Sequence, residues 1–382
     1  MKILAVDVGT GTQDILLFDS DKEIENCYKL VLPSPTVMLA EKIRQATRQG
    51  VGLLLTGVLM GGGPCAWAAR DHARAGYPLW VTPDAARTFD DDPARIAAMG
   101  ATVVSDDEAA RLNGKITHLV LGDFDYQAIA AAFAHFGVEL ERNLDAIAMA
   151  VFDHGNAPPG VSDRLFRFEY LERCIKQRNS LTSFAFLAQD VPDIMTRMAA
   201  TAQSAQAARP DLPVLLMDTA PAAVLGALED PQVRQTRPAI VANIGNFHCL
   251  AFRLGPANNG DITGGIEGVF EHHTGEITPA QLESYLRQLA HGDLTHTEIF
   301  ASNGHGAVMF ARHAIPLNFL SITGPRRSFL AGSPLKPYLA SPYGDMMLAG
   351  SFGLIRAYQA VKPEWTEQID ASLRGQGGKS LW

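Results

Sequence analysis

Ile3-Leu4-Ala5-Val6-Asp7-Val8-Gly9-Thr10-Gly11-Thr12-Gln13-Asp14-Ile15-Leu16-Leu17-Phe18-Asp19 is an apolar strand ending in an aspartate, a Gly/Thr turn, and a second apolar strand that starts at once. A glycine-rich phosphate loop of the dinucleotide or P-loop kind opens into a helix. Asp14 to Phe18 is instead a bare apolar run with no helical period. The stretch therefore reads as a β-hairpin able to grip phosphate. Gly9 and Gly11 let backbone N–H groups turn toward an anion. Thr10 and Thr12 add hydroxyl donors. Asp7 is placed to hold a metal, through water as Mg²⁺ prefers. An ordinary hairpin with glycines for its turn accounts for this stretch equally well.

The length of 382 residues suggests two or three domains, and 47% apolar residues supply a sizeable core. A net charge of −9 without a basic block argues against nucleic acid as a partner. One Lys, a short apolar run and then Asp7 do not make a signal peptide. No apolar run reaches the roughly eighteen residues of a membrane span. Cys27, Cys65, Cys174 and Cys249 form no C-x-x-C pair, so neither a disulfide framework nor a thiolate metal site is indicated. The expected location is cytoplasmic.

Outward from the hairpin, Val51–Thr56, Pro78–Val81, Thr117–Leu121 and Ala146–Phe152 read as strands. Cys65–Ala75 and Tyr126–Phe136 read as helices among them, which implies a mostly parallel sheet with ligand loops at the carboxyl ends of strands. Phe166–Asn179 and Val191–Ala208 look like connecting helices. Leu212–Met217 then opens a second half, and Asp218–Leu228 is a helix entered through an aspartate cap. Ala239–Asn243 and His248–Leu254 form a second hairpin around Gly245-Asn246-Phe247, repeating the layout of the first. Pro279–Ala290 is helical, Leu317–Ile322 is a strand running into Thr323-Gly324-Pro325, and Met346–Ala360 is a final helix. A polar, glycine-rich tail follows Pro363.

This order of elements resembles the actin, Hsp70 and sugar-kinase superfamily of ATP-binding proteins. Asp7 to Thr12 matches its first phosphate hairpin, Asp218 to Gly226 its connecting helix, and Asn243-Ile244-Gly245-Asn246 its second hairpin. Ile322-Thr323-Gly324-Pro325 matches the adenosine loop, and Gly344-Asp345 into Gly350-Ser351-Phe352-Gly353 the closing helix. The resemblance implies an α/β, two-lobed actin-like ATPase (ribonuclease H-like) fold with duplicated mixed sheets flanked by helices. It implies ATP and Mg²⁺, with Gly9, Thr10, Gly11, Thr12, Gln13, Asn243, Gly245, Asn246, Gly324 and Pro325 around the nucleotide and Asp7 at the metal. The expected divisions are an N-terminal lobe (1–160), a helical connection (161–211), a C-terminal lobe (212–362) and a polar tail (363–382).

Within that superfamily, Met60 to Pro64, Phe270 to Gly275 and Gly304 to Ala307 resemble a prokaryotic family often labelled a pyruvate formate-lyase activating enzyme. Such an activase needs an iron–sulfur cluster on closely spaced cysteines. This chain has no such run, so no iron–sulfur cluster is expected. The second hairpin departs from the superfamily. Asn243 stands where an aspartate is usual, and Phe247 and His248 stand where small residues let backbone approach phosphate.

The resemblance points to a small-molecule kinase or ATPase. In such an enzyme a carboxylate takes the acceptor's proton. Asp153, beside His154 and Asn156 on a loop after a strand, is the first candidate, and Asp218 the second, with a plain helix cap as its alternative. Asp123 reads as a turn residue. Gly61-Gly62-Gly63-Pro64 opens a helix that could hold an anion or could simply be a tight turn. Seven of the eleven histidines fall between His248 and His313, but their spacing fits no helical metal motif, so surface or hydrogen-bonding roles are expected. His305, between two glycines, is the exception that suggests a ligand close to backbone. Two other functional classes stay open. One is a non-catalytic nucleotide-dependent regulator that binds a partner protein or assembles as a homo-oligomer. The other is a His-dependent metal enzyme.

Overall fold

The computed structural model of the chain describes residues 1–257 and 261–376. Strands β1 (Lys2–Val8) and β2 (Thr12–Asp19) are the expected hairpin, continued antiparallel by β3 (Tyr28–Pro33). Their central residues are buried on both faces, as the unbroken apolar runs require. An insertion follows. Strands β4 (Gly52–Gly57), β5 (Leu79–Val81), β6 (Ala101–Val103) and β7 (Ile116–Leu121) make a separate parallel sheet in the order β6-β5-β4-β7. It has its own core around Leu53, Leu55, Ala69 and Val81. The alternating strand and helix signals read from the sequence therefore belong largely to this inserted unit.

The chain returns to the first sheet with β8 (Ala146–Val151), which pairs parallel to β1. Next come the edge strand β9 (Ala185–Leu187) and β10 (Val214–Asp218), the latter parallel to β8. This corrects two expectations. The Leu212–Met217 run closes the first sheet rather than opening the second half, so the division between lobes falls after Asp218. The segment 161–211 is not purely helical, because β9 lies within it. An apolar run of strand length carries no mark of which sheet it joins.

The second sheet is built from β11 (Ala239–Ile244), β12 (His248–Leu254), β13 (Ile266–His273), β14 (Gly306–Met309), β15 (Leu320–Thr323) and β16 (Tyr338–Leu339). Its order is β14-β13-β12-β11-β15-β16, against β3-β2-β1-β8-β10-β9 for the first. In each sheet three strands form an antiparallel meander, and two later strands add in parallel beside the first of them. The same five-strand topology twice, with β9 and β14 as extra strands at opposite ends and a cleft between the copies, is the two-lobed actin-like fold.

Two helices join the lobes. Thr219–Ala227 leaves β10 with Asp218 as its N-cap and is buried along almost its whole length, which its apolar sequence permits. Ala349–Val361 crosses it at backbone contact. A Cβ on Gly226 would lie 1.6 Å from the Ala349 carbonyl oxygen, and one on Gly353 would lie 1.9 Å from that of Ala222. The segment after Pro363 is not simply a loose tail. Thr366–Leu373 is helical, buries Ile369 and Leu373, and pairs Asp370 with Arg356. The expected polar residues after Gln376 lie outside the described residues. Among the described residues no helix is long and apolar enough to cross a membrane.

Candidate functional site

The two hairpin turns are built alike. The Gly9 N–H donates to the Thr12 carbonyl at 2.9 Å, and the Gly245 N–H donates to the His248 carbonyl at 2.9 Å. Position by position, Asp7 therefore corresponds to Asn243, Thr10 to Asn246, Gly11 to Phe247 and Thr12 to His248. The turns meet at their tips, where a Cβ on Gly11 would lie 2.7 Å from Asn246 Nδ2. Behind them opens a cavity of about 1050 Å³ that also reaches the Gly61–Gly63 loop, the Asp153–Gly160 loop and the insertion.

Of the residues expected around the nucleotide, Gly9, Thr10, Thr12, Asn243, Gly245, Asn246, Gly324 and Pro325 line this cavity, as does Asp7. Gly11 and Gln13 are not among its lining residues. Gln13 donates from Nε2 to the Pro33 carbonyl at 3.0 Å, which holds β3 to the hairpin. Gly324 has φ +98° and comes so close to Asn243 that a Cβ would lie 2.5 Å from its Oδ1.

Asp7 faces Asp14 directly across the β1–β2 ladder, and both carboxylates are buried at the cavity. Asp7 Oδ1 accepts from the Thr219 hydroxyl at 2.6 Å. A Cβ on Gly350 would fall 1.8 Å from Oδ2, so only glycine fits there. Asp14 Oδ1 has no hydrogen-bond partner among the described residues. Among the described residues no Lys, Arg or His forms an ion pair with either carboxylate. Burial pushes Asp7 up to about 7, and the Asp218 charge adds to this while the Thr219 hydrogen bond opposes it. Burial, and then the neighbouring Asp7 charge, push Asp14 up to about 8. The pair has the donor set of a hard divalent cation, all oxygen and anionic. Sequence reading missed Asp14 and Thr219. Counting outward from the four-residue turn would have paired residue 7 with residue 14.

The pair has a consequence for stability. Both carboxyls hold protons in the folded chain at pH values where the unfolded chain has already lost them, near pH 4. Their contribution therefore falls as pH rises from about 4 toward 8. Urea midpoints of the metal-free protein are expected to decline more steeply over that window than those of Asp14→Asn. A saturating divalent cation is expected to remove the difference in slope.

The aspartates first proposed as bases are engaged elsewhere. Asp153 accepts from the Gly155 N–H at 2.8 Å and from the Met198 N–H at 2.9 Å, which orders the loop after β8. Asp218 accepts from Arg167 at 2.6 and 3.2 Å and from the Ala220 N–H at 3.3 Å. Arg167 also grips Glu271 of β13 through two 2.8 Å bonds, so this buried arginine ties the first sheet to the second. Burial works against its charge, but Asp218 and Glu271 more than compensate. Asp123 is more than a turn residue. It accepts from Arg197 at 2.7 and 2.9 Å and from the Gly61 N–H at 3.2 Å, fixing the Gly61–Gly63 loop.

The histidines meet the expected surface or hydrogen-bonding roles only in part. His291 and His313 are exposed and His272 and His273 are hydrogen-bonded, whereas His305 is buried without a hydrogen-bond partner among the described residues. His272 and His305 are fully buried rather than superficial, and His248 is half-buried on the second turn. The glycines flanking His305 admit protein, not ligand. A Cβ on Gly304 would strike Ile299 and His272, and one on Gly306 would strike His296 and Phe168. As neighbours on β13, His272 and His273 differ as alternation requires. The first is buried, the second half-buried, and Nε2 of His272 lies 3.1 Å from the Ser302 hydroxyl.

Residues 60–329 match the model of the family described as "Putative pyruvate format-lyase activating enzyme (DUF1786)". The chain belongs to this family. The match takes in the Gly61–Gly63 loop, Asp153, Arg167, the second hairpin and the His305 segment. No curated protein matches the chain in sequence. Among solved structures it is similar to the ethanolamine utilization protein EutJ from Carboxydothermus hydrogenoformans. That likeness has 11% identity and a TM-score of 0.34 over 93% of this chain and 89% of that one. It is also similar to Lmo2764, a putative N-acetylmannosamine kinase from Listeria monocytogenes, at 12% identity and TM-score 0.33 over 95% and 100%. A third is the ROK hexokinase from Thermus thermophilus, at 13% identity and TM-score 0.29 over 95% and 100%. The fold assignment rests on the duplicated sheet topology. In this family member the four cysteines stand on separate elements and are all buried, and burial raises each thiol.

Proposed function

We propose that the interlobe cleft binds ATP with Mg²⁺ and that the protein is a kinase or ATPase acting on a small molecule in the cytoplasm. The observation that carries this reading is the Asp7–Asp14 pair, two buried carboxylates without a basic partner among the described residues, set between two glycine hairpins. Asp7 and Asp14 would hold the cation, and the turns at Gly9–Thr12 and Gly245–Asn246 would offer N–H and hydroxyl donors to the phosphates. Bound Mg²⁺ would supply charge neutralisation for the transferring phosphoryl group. The remainder of the cavity, toward Arg87 and Arg95 of the insertion, leaves room for an acceptor.

A specific observation also favours a second reading, binding without turnover. Asp153 and Asp218 spend their oxygens on structural hydrogen bonds, and Asn243 replaces an acidic residue on the second hairpin. Thermal-shift titration tests the binding shared by both readings. A ligand at a hundredfold its Kd stabilises the folded state by about 2.7 kcal/mol. ATP with Mg²⁺ is expected to raise the melting temperature, and ATP in EDTA to leave it unchanged. No shift at millimolar Mg²⁺·ATP would remove both readings. ADP release in a coupled assay would then separate a turnover enzyme from a binder.

A further inference from the structure

His154 follows β8 in the first lobe, whereas His248 opens β12 and His305 precedes β14 in the second. Nothing in their sequence spacing joins them, yet each offers a ring nitrogen and all three nitrogens lie within 4.8 Å of one another. The ring of His305 is 5.6 Å from that of His154 and 5.1 Å from that of His248. His305 is fully buried, and neither of its nitrogens has a hydrogen-bond partner among the described residues. Nε2 of His248 is likewise buried and, among the described residues, unpartnered. Ring stacking, such as that of Phe152 on His248 at 3.7 Å, explains why aromatic faces gather here. It does not explain three buried nitrogens left without partners, since buried polar atoms normally have them.

We propose that His154, His248 and His305 form a binding site for a transition-metal ion, Zn²⁺ by its chemistry, that joins the two lobes at the base of the cleft. Imidazole is a preferred ligand of Zn²⁺, and three histidines with one open position is an established coordination pattern for that ion. Tetrahedral Zn–N bonds of about 2.0–2.1 Å place ligand nitrogens about 3.3 Å apart. The rings therefore need to draw together by about an ångström, which χ2 rotation allows. Arg167 lies close by, with its guanidinium carbon 3.8 Å from the centre of the Phe152 ring that stacks on His248. Arg167 does not forbid a cation, because two carboxylates hold it. His273 stands beside the trio with its ring 4.5 Å from that of His305, but its Nδ1 lies 2.8 Å from the Asn303 carbonyl. His154 and His248 both line the cavity, so the fourth position would open to the cleft. The trio shares no residue with the Asp7–Asp14 pair, although His154 and His248 line the same cavity.

Cobalt spectroscopy tests this on the full chain, without an affinity tag and stripped with EDTA. Co²⁺ is expected to bind at one equivalent with intense visible bands of a four-coordinate site, and Zn²⁺ to displace it. His154→Gln and His305→Gln, each checked for folding by circular dichroism, are expected to weaken Co²⁺ binding at least tenfold. His313→Gln, on an exposed residue outside the trio, is expected to bind as the wild type does. Wild-type protein without the bands, or variants that retain equal affinity, would overturn the proposal. Because His154 is only half-buried, its variant keeps the test decisive if His305→Gln fails to fold. Failure here leaves the Mg²⁺·ATP thermal shift of the wild type unaffected, so the two readings fall separately.

Discussion

Arg167→Met is expected to destabilise the protein by about 3–5 kcal/mol, the usual penalty for removing one partner of a buried ion pair. Arg167, Asp218 and Glu271 are all essentially inaccessible to solvent. Removing the guanidinium leaves two carboxylates facing each other from opposite lobes without a counter-charge. Burial already raises the Asp218 carboxyl and Arg167 opposes that rise, so without Arg167 its folded-state pKa would lie further above the unfolded one. Its deficit should therefore be smallest near pH 4–5 and grow as pH rises toward neutrality. The exposed pair Arg48–Glu41 provides the contrast, with Arg48→Met expected to leave the urea midpoint nearly unchanged. Urea denaturation of both variants at pH 5 and pH 7.5 reads the difference. A loss below about 1 kcal/mol for Arg167→Met, independent of pH, would show that the triad is not the link between lobes described here.

The second large effect is expected at the helix crossing. Gly226→Ala would place a methyl 1.6 Å from the Ala349 carbonyl oxygen and 2.9 Å from the Gly353 nitrogen. Both are backbone atoms of the opposing helix, so no side chain can swing aside. Alanine normally gains almost 1 kcal/mol over glycine inside a helix. Here the overpacking penalty, at or above the upper end of about 1–3 kcal/mol, should dominate. The same holds for Gly353→Ala, whose methyl would meet the Ala222 carbonyl. Because Gly350, one turn earlier on the same helix, abuts Asp7, forcing the helices apart should also disturb the carboxylate pair. Gly226→Ala is therefore expected to lower both the urea midpoint and the response to Mg²⁺. An unchanged midpoint would mean that the helices are not in backbone contact.

The fold was legible because its signals are local. A strand, a four-residue glycine turn and a second strand occur twice, and each can be read from neighbouring residues alone. Sheet membership was not legible. The β10 run looks like any apolar strand, and only its parallel pairing with β8 assigns it to the first sheet. The same limit shaped the site. Asp7 stood out because it precedes a turn, and Asp14 could have been found by register. Asp153 and Asp218 resembled bases because carboxylates at strand ends often are. Their partners Met198 and Arg167 lie 45 and 51 residues away, so the hydrogen bonds that occupy them are invisible to local reading. The histidine trio is the extreme case, since its members approach only when the two lobes are assembled.

Calorimetric titration of Mg²⁺·ATP into the wild type and Asp14→Asn tests whether the carboxylate pair makes this cleft a magnesium nucleotide site. Saturable binding to the wild type is expected, one nucleotide per chain, abolished by EDTA and weakened at least tenfold by Asp14→Asn. Absence of binding at millimolar nucleotide, or equal binding by both proteins with and without Mg²⁺, would contradict it.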